Sequence, residues 1–507
     1  MLIENPKKGM DVKMKYVSTR DTGSNPQEVS AAQAIKQGLA PDKGLYMPTE
    51  IPTLTKEDIL SLAKKPYYSR AAAVLSMFLT DYDPEKLLSD CRDAYSEARF
   101  PGGAAPLVSI GEGLYSLELW HGPTCAFKDM ALQIMPRLLS SALSMTGEKR
   151  RAHILVATSG DTGKAALEGY KDVPGIDITV FFPVDGVSAM QKLQMVTQTG
   201  SNVNVCAVRG NFDDTQNGVK KIFADPSLAQ RAEENGFFFS SANSINWGRL
   251  APQIVYYISA YCDLMNSGEI AYGDKINICV PTGNFGNIFA AYIAREMGLP
   301  VAKMICASNA NCVLTDFIRT GTYDRTREFY KTMSPSMDIL ISSNLERLLY
   351  LLGGPEITRD CMEKLVSDGK YTAPASIMEK IHAVMEGFYC TEAETARVIR
   401  DTFQNRGYLA DPHTSVGIGC VEQYIAASGD RTKTVLASTA SPYKFAADVC
   451  SSLGTAPSSN EPRAILETLS NISGTQIPAP LAATLSLPVR FQTVVDAENM
   501  ADFIFNK

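Results

Sequence analysis

Hydrophobic positions along this chain change rhythm as it proceeds. Residues 31–40 repeat at helical spacing and stop near Gly38. Residues 56–63 and 84–98 do the same after a loop punctuated by Pro and Gly, LAPDKGLYMPTEIP. FPGGAAP, residues 100–106, reads as a linker. Beyond it, short apolar runs at 114–120, 152–158, 176–182, 203–208 and 237–240 alternate with helical stretches. After Asn243 come a long helix over 246–266, a buried strand over 276–281, a glycine loop and helix, and a strand over 302–307. Residues 313–408 are mainly helical and more polar, an insertion that covers the sheet, and 434–440 is the last parallel strand. Strands alternating with helices predict βαβ units and mostly parallel sheets, with ligands at the carboxyl ends of the strands. The expected division is an N-terminal unit of mixed or helical character over 1–100, a smaller α/β domain over 101–245 and a larger one over 246–507.

At 507 residues the chain exceeds one hydrophobic core. Its 45% hydrophobic and 20% charged residues are ordinary for a globular protein. A net charge of −7 leaves no basic footprint for nucleic acid or an anionic membrane. No apolar run is long enough to span a bilayer, and the opening MLIENPKKGMDVKMKY lacks the apolar core of a signal peptide. Eleven cysteines are scattered singly, with no CxxC pair. That argues against a disulfide framework and for a cytoplasmic location. His121, His153, His382 and His413 have no further ligands at metal-binding spacing, so no metal is expected.

Candidate chemistry starts at SLELWHGPTCAFKDM, residues 116–130, where an apolar run ends in a turn and a helix begins just after Lys128. Apolar neighbours and the positive end of a helix dipole both disfavour an ammonium, and a neutral lysine can form a Schiff base with an aldehyde. Taken alone, the stretch more readily fits a surface lysine in a first helical turn. Three later loops suit anions. TSGDTG, residues 158–163, follows a strand and opens a helix, so its N–H groups fit a carboxylate or phosphate, or simply a turn capped by Ser159. It fails the pattern GxxxxGK[ST] at Thr158 and Ala165. NSINWGR, residues 243–249, places Asn243, Ser244 and the Arg249 guanidinium where they could converge on one anion; a capped helix beside a surface arginine reads equally well. PTGNFGN, residues 281–287, ends a buried strand, frees the backbone with two glycines and starts a helix, which makes a phosphate cradle.

HGPTCAFKD resembles the cofactor-lysine segment of threonine synthases, HGPTxAFKD, and MKYVSTRDTG from Met14 resembles their start, MKYxSTRG. NSINWGR, GNFGN and STASPYKF resemble further segments of that family in the same order, the last departing from STAHPAKF at Ser441 and Tyr443. DPHTSVG around His413 resembles it too and reads as turn and capping chemistry, while His121 either braces its turn or touches the site. The resemblance runs from Met14 to about Phe445 and leaves residues 1–13 as a short extension or an upstream start.

The resemblance implies an α/β fold of the fold type II pyridoxal-phosphate class, like the tryptophan synthase β subunit, with two open, mostly parallel domains and a small N-terminal unit. It implies pyridoxal 5'-phosphate carried on Lys128, the catalytic residue. Gly283, Asn284, Phe285, Gly286 and Asn287 would hold the cofactor phosphate, and the Thr439 hydroxyl would face the pyridine nitrogen. Ser159, Asp161 and Thr162 would contact the substrate, and Asn243, Ser244 and Arg249 its phosphate. Related pyridoxal enzymes often carry Asn where this chain has Asp161. The implied activity is that of a threonine synthase, converting O-phospho-L-homoserine and water to L-threonine and phosphate, in a monomer or homodimer that binds neither nucleic acid nor membrane. The alternatives are a related phospho-lyase, a threonine or serine dehydratase or, outside enzymes, a phosphate-binding regulator.

Overall fold

The first two strands, β1 (Tyr16–Ser18) and β2 (Tyr46–Pro48), pair antiparallel in the N-terminal unit. This computed structural model describes residues 13–184 and 186–506, so the reading of 1–13 as an extension lies, but for Lys13, outside the described residues. Local chemistry sets the helices here. Ser30 caps Ala31–Gln37 by accepting from the Gln33 N–H, and Gly38 at φ 72 ends it, as the sequence predicts. Thr55 and Asp58 form a capping box for Lys56–Ala63. The helix Tyr67–Phe78 is not in the sequence prediction, because its run of alanines blurs the apolar stripe; Pro84–Ala94 ends before the predicted stop.

Next, β3 (Leu107–Ser109) and β4 (Leu114–Glu118) form an antiparallel pair. The chain then builds β5 (Arg151–Ala157), β6 (Ile176–Pro183), β7 (Val203–Val208) and β8 (Phe237–Ser240). It continues through β9 (Ile276–Pro281), β10 (Val301–Ser308), the short antiparallel pair β11 (Thr322–Asp324) and β12 (Lys370–Thr372), then β13 (Met385–Tyr389), β14 (Thr434–Ser438) and β15 (Val494–Val495). These sort into a six-stranded sheet, β13-β10-β9-β14-β4-β3, parallel except for β3, and a five-stranded parallel sheet, β15-β7-β6-β5-β8.

Two mostly parallel α/β sheets are what the sequence rhythm predicts, but their membership differs from the expected division. Leu114 in β4 aligns with Thr434 in β14, so the strand leading to Lys128 lies in the six-stranded sheet and not in a unit over 101–245. From the other end of the chain, β15 joins β7 in the five-stranded sheet, so 246–507 is not one domain either. Partners so distant in sequence leave no trace in local periodicity. The 313–408 insertion is also not all cover, because β13 extends the six-stranded sheet beside β10.

Inner strands β4, β9 and β14 are buried along their whole length, as expected where helices cover both faces. The helix Trp247–Asn266 is buried on nearly every side and packs against Gly286–Glu296 and Tyr67–Phe78, joining the N-terminal unit to the six-stranded sheet. Among the described residues no helix is long and apolar enough to cross a membrane, and all eleven cysteines are free.

Candidate active site

Every candidate segment leaves the carboxyl end of a strand: Lys128 after β4, 158–163 after β5, 243–249 after β8, the glycine loop after β9 and Thr439 after β14. The first, fourth and fifth come from the six-stranded sheet and the other two from the five-stranded sheet.

The lysine loop is tied on both sides of its turn. The Leu119 N–H donates to Ser438 O at 3.0 Å and the Phe127 N–H to Thr439 O at 2.8 Å. Inside the loop, Asp129 accepts from the Thr124 N–H and hydroxyl, each at 2.8 Å, while burial pushes its carboxyl up to about 7. Position 122 admits only glycine, since a Cβ there would stand 2.6 Å from Asp129 Oδ2. Cys125 holds φ 57, a left-handed conformation that costs an L residue roughly 1–2 kcal/mol. His121 braces the turn, with Nε2 2.7 Å from Glu118 Oε2 and its ring stacked on Trp120.

Lys128 is half-buried by area. Burial, then the charges of Arg249 and Lys444, bring the amine down to about 8 against the pull of Asp161. The following helix, Asp129–Leu132, is a single turn, so nearby cations rather than a helix dipole add to the effect of burial. Pyridoxal phosphate added to the cofactor-free chain should react at a rate that falls about tenfold per pH unit below the midpoint near 8 and levels off above it. A rate still climbing past about pH 10 would instead mark an ordinary exposed lysine.

In the 158–163 loop the N-cap position falls on Gly160, which has no side chain to cap with, and the hydroxyl that steadies the turn is that of Thr158, not Ser159. It accepts from the Gly160 and Gly163 N–H groups, both at 2.9 Å. Ser159 and Thr162 keep hydroxyls with no protein partner among the described residues. Gly160 has φ 144, and a Cβ on it would lie 2.4 Å from the Gln191 carboxamide. Gly160→Ala is expected to cost about 1–3 kcal/mol of unfolding free energy, read by urea denaturation; no change would mean the loop relaxes freely. Asp161 is less available than the sequence suggests. Its Oδ1 pairs with Lys444 Nζ at 2.7 Å and accepts from Gln191 Nε2 at 2.8 Å. Burial opposes its charge, but Lys444 and Lys128 hold the carboxyl well below the usual range.

In the 243–249 loop, Asn246 caps the helix Trp247–Asn266. It accepts from the Gly248 N–H at 2.9 Å and donates to Ile35 O at 2.8 Å. Asn243 is thereby left with a side chain that has no protein partner among the described residues, and Ser244 Oγ only accepts from Asn344 Nδ2 at 3.4 Å. Arg249 is 3% exposed. It donates from Nη1 to Ala242 O, its Nε is buried without a partner, and no ion pair involves it among the described residues. Burial brings its guanidinium down to about 10, still charged at neutral pH.

The glycine loop opens the helix Gly286–Glu296 from Phe285, which holds φ 62. The first-turn N–H groups of Gly286 and Asn287 have no intrahelical acceptor, which leaves them available to an anion. Asn287 shapes the loop: its Oδ1 accepts from the Thr282 hydroxyl at 2.5 Å and its Nδ2 donates to Pro281 O at 3.0 Å. Gly283 O accepts from the Ser342 hydroxyl at 2.7 Å and Asn284 O from Asn344 Nδ2 at 2.9 Å. A Cβ on Gly286 would meet nothing nearer than 3.4 Å, so protein packing does not demand glycine there; a bound anion would. The Thr439 hydroxyl makes no protein hydrogen bond among the described residues. A lowered lysine amine, an open N–H cradle and a free hydroxyl fit pyridoxal phosphate.

Sequence reasoning missed three buried side chains. Asn344 bridges Asn284 O and Ser244 Oγ, and Arg347 donates to it, to Ile245 O at 2.6 Å and to Tyr46 O at 3.2 Å. Lys444 is the third. The signal was polar SSNLER inside an otherwise apolar stretch, and a lysine beside STASP. His413 is structural, as its motif suggests. Its Nδ1 lies 2.6 Å from Asp411 Oδ2, and its Nε2 accepts from the Ser336 N–H at 3.1 Å. Ser441 accepts from the Tyr443 N–H and donates its own N–H to Cys125 O at 3.1 Å.

Residues 15–95 match the family described as threonine synthase N terminus, and residues 103–439 the family described as pyridoxal-phosphate dependent enzyme. The chain is 39% identical to threonine synthase-like 1 of Homo sapiens over 86% of its own length, and spans 60% of that protein. It is 37% identical to threonine synthase of Pseudomonas aeruginosa, covering 85% of this chain and 89% of that one. The crystal structure of pyridoxal-phosphate-bound threonine synthase from Brucella melitensis superposes with a TM-score of 0.86 at 36% identity, over 97% of this chain and 99% of that one.

Proposed function

Because this chain belongs to the threonine synthase family of pyridoxal-phosphate-dependent enzymes, we propose that it converts O-phospho-L-homoserine and water to L-threonine and phosphate. The observation that carries this reading is Arg249, a buried guanidinium with an unpartnered Nε and, among the described residues, no carboxylate paired with it. Such a charge is costly until an anion meets it, and its planar fork suits a phosphate. An unphosphorylated hydroxy amino acid offers nothing there to pair with it, which disfavours the dehydratase reading.

When bound, pyridoxal phosphate would stabilise negative charge developing on the substrate carbons. The chain supplies the rest. Arg249, Asn243 and Ser244 hold the phosphate that departs from Cγ. The N–H groups opening Asp161–Tyr170, with Ser159 and Thr162, hold the substrate carboxylate. Lys128 takes the proton from Cα and moves protons at Cβ and Cγ, and water adds at Cβ. The neutral Thr439 hydroxyl leaves the pyridine nitrogen largely unprotonated.

A second reading, a phosphate-releasing lyase that yields a 2-oxo acid, stays beside the first because Ser441 stands where the STAHPAKF form has histidine, so this chain lacks that side chain whatever it does in the family. One assay separates the two. The purified protein is incubated with O-phospho-L-homoserine, and phosphate, threonine and 2-oxobutanoate are measured. Threonine equal to the phosphate released supports the synthase; 2-oxobutanoate in its place supports the lyase; no phosphate release removes both.

A further inference from the structure

A second lysine lies close to the first, and the proposed reaction does not use it. Lys444 sits on the turn Pro442–Phe445 after β14, with 0% of its side chain exposed. It pairs with Asp161 Oδ1 at 2.7 Å and donates to Thr124 O at 2.9 Å. Thr124 belongs to the lysine loop on the six-stranded sheet, and Asp161 opens the helix after β5 in the five-stranded sheet. The ammonium of Lys444 therefore sits where the two sheets' loops meet at Lys128.

We propose that Lys444 is a positioning residue whose ammonium keeps Asp161 from pairing with the Lys128 amine, leaving Lys128 free to react as a neutral nucleophile. Three charged groups act on Lys128: Asp161, Arg249 and Lys444. Asp161 is the only carboxylate among them, and the cations acting on it are Lys444 and Lys128. The other charges around Lys444 are engaged elsewhere. Asp129 accepts both bonds from Thr124, and Lys164 lies 3.2 Å from Glu168 and donates to Gln198. A buried carboxylate deprived of its partner turns to the nearest remaining cation. Without Lys444 the other cation acting on Asp161 is Lys128, and a carboxylate no longer shared with a second cation pulls an amine's pKa up further, within the range of about 1–3 units that one close opposite charge supplies. The bond to Thr124 O and the Gln191 amide on Asp161 fix the pair from opposite sides, so Asp161 is held near Lys128 without being released to it.

The test uses charge changes of opposite sign in the full chain freed of cofactor. Lys128 is labelled with acetic anhydride from about pH 6 to 11, and its acetylation is read by peptide mass spectrometry. The wild-type midpoint is expected near 8. Lys444→Met should raise it by about one unit or more. Asp161→Asn, which leaves Lys444 unpaired, should lower it, and the double variant should return it close to wild type. A purely structural role for Lys444 would shift melting temperature without this pattern of signs. Equal midpoints in wild type and Lys444→Met overturn the proposal, as does a double variant that stays with Lys444→Met. Should Lys444→Met give no soluble protein, Asp161→Asn against the double variant decides, and a midpoint in Asp161→Asn no lower than in the double overturns it. No substrate is present, so the outcome is independent of the threonine assignment.

Discussion

Lys128→Ala is expected to abolish turnover and to remove the visible absorbance of protein purified with pyridoxal phosphate. Two losses combine. The amine proposed to capture the cofactor is gone, and so is the group proposed to move protons at three substrate carbons. Acid–base catalysis alone is worth about 10²–10⁴ in rate, so kcat should fall by about 10⁴ or more. Lys444 cannot take over, because its amine is held by Asp161 and Thr124 O at 0% exposure. The loss is chemical and not a folding defect, since the Lys128 amine donates no hydrogen bond to the protein among the described residues. Urea denaturation of the cofactor-free variant should therefore match wild type or show a small gain from removing a half-buried charge. Persistent absorbance in Lys128→Ala would place the cofactor on another amine and remove the foundation of the proposed site.

Local chemistry was readable in the sequence, and distant pairing was not. INICVP and the helix over 246–266 were legible because a buried strand and an apolar helix write their own periodicity. Lys128 stood out because its neighbours are apolar on one side and helical on the other. The sheet to which it belongs did not, because β4 takes its register from β14, which lies near the far end of the chain. The caps divided in the same way. Gly160 holds the cap position that the sequence offers to Ser159, with the Thr158 hydroxyl bonding the turn, and Asn246 caps the helix after β8; one-residue choices of this kind depend on backbone angles that composition does not fix. Those choices matter for function, because they leave Ser159 and Asn243 free to face a ligand. Asn344, Arg347 and Lys444 were passed over for a further reason. Each acts by joining two loops that touch only after folding: Asn344 links the glycine loop to Ser244, and Lys444 links the lysine loop to Asp161.

Arg249→Met is expected to lower kcat/KM for O-phospho-L-homoserine by about 10²–10³, because a desolvated charge-assisted pair with phosphate is worth roughly 2–5 kcal/mol. Both constants should worsen: KM because the phosphate loses its anchor, kcat because charge builds on that group as it leaves Cγ. Arg249→Lys keeps the charge but not the fork, so it should recover only part of the loss. Arg249→Met should leave the free protein at least as stable as wild type, since it replaces an unpaired buried cation by an apolar chain. Loss of activity together with retained or increased stability is the signature of a residue kept for its ligand. Inorganic phosphate gives an independent reading when the cofactor cradle is already filled with pyridoxal phosphate. At a hundredfold excess over its Kd, phosphate should stabilise wild type by about 2.7 kcal/mol and raise its Tm, and it should do little for Arg249→Met. If both proteins gain equally, the guanidinium serves the core and not the substrate, and the case for a phosphorylated amino acid goes with it.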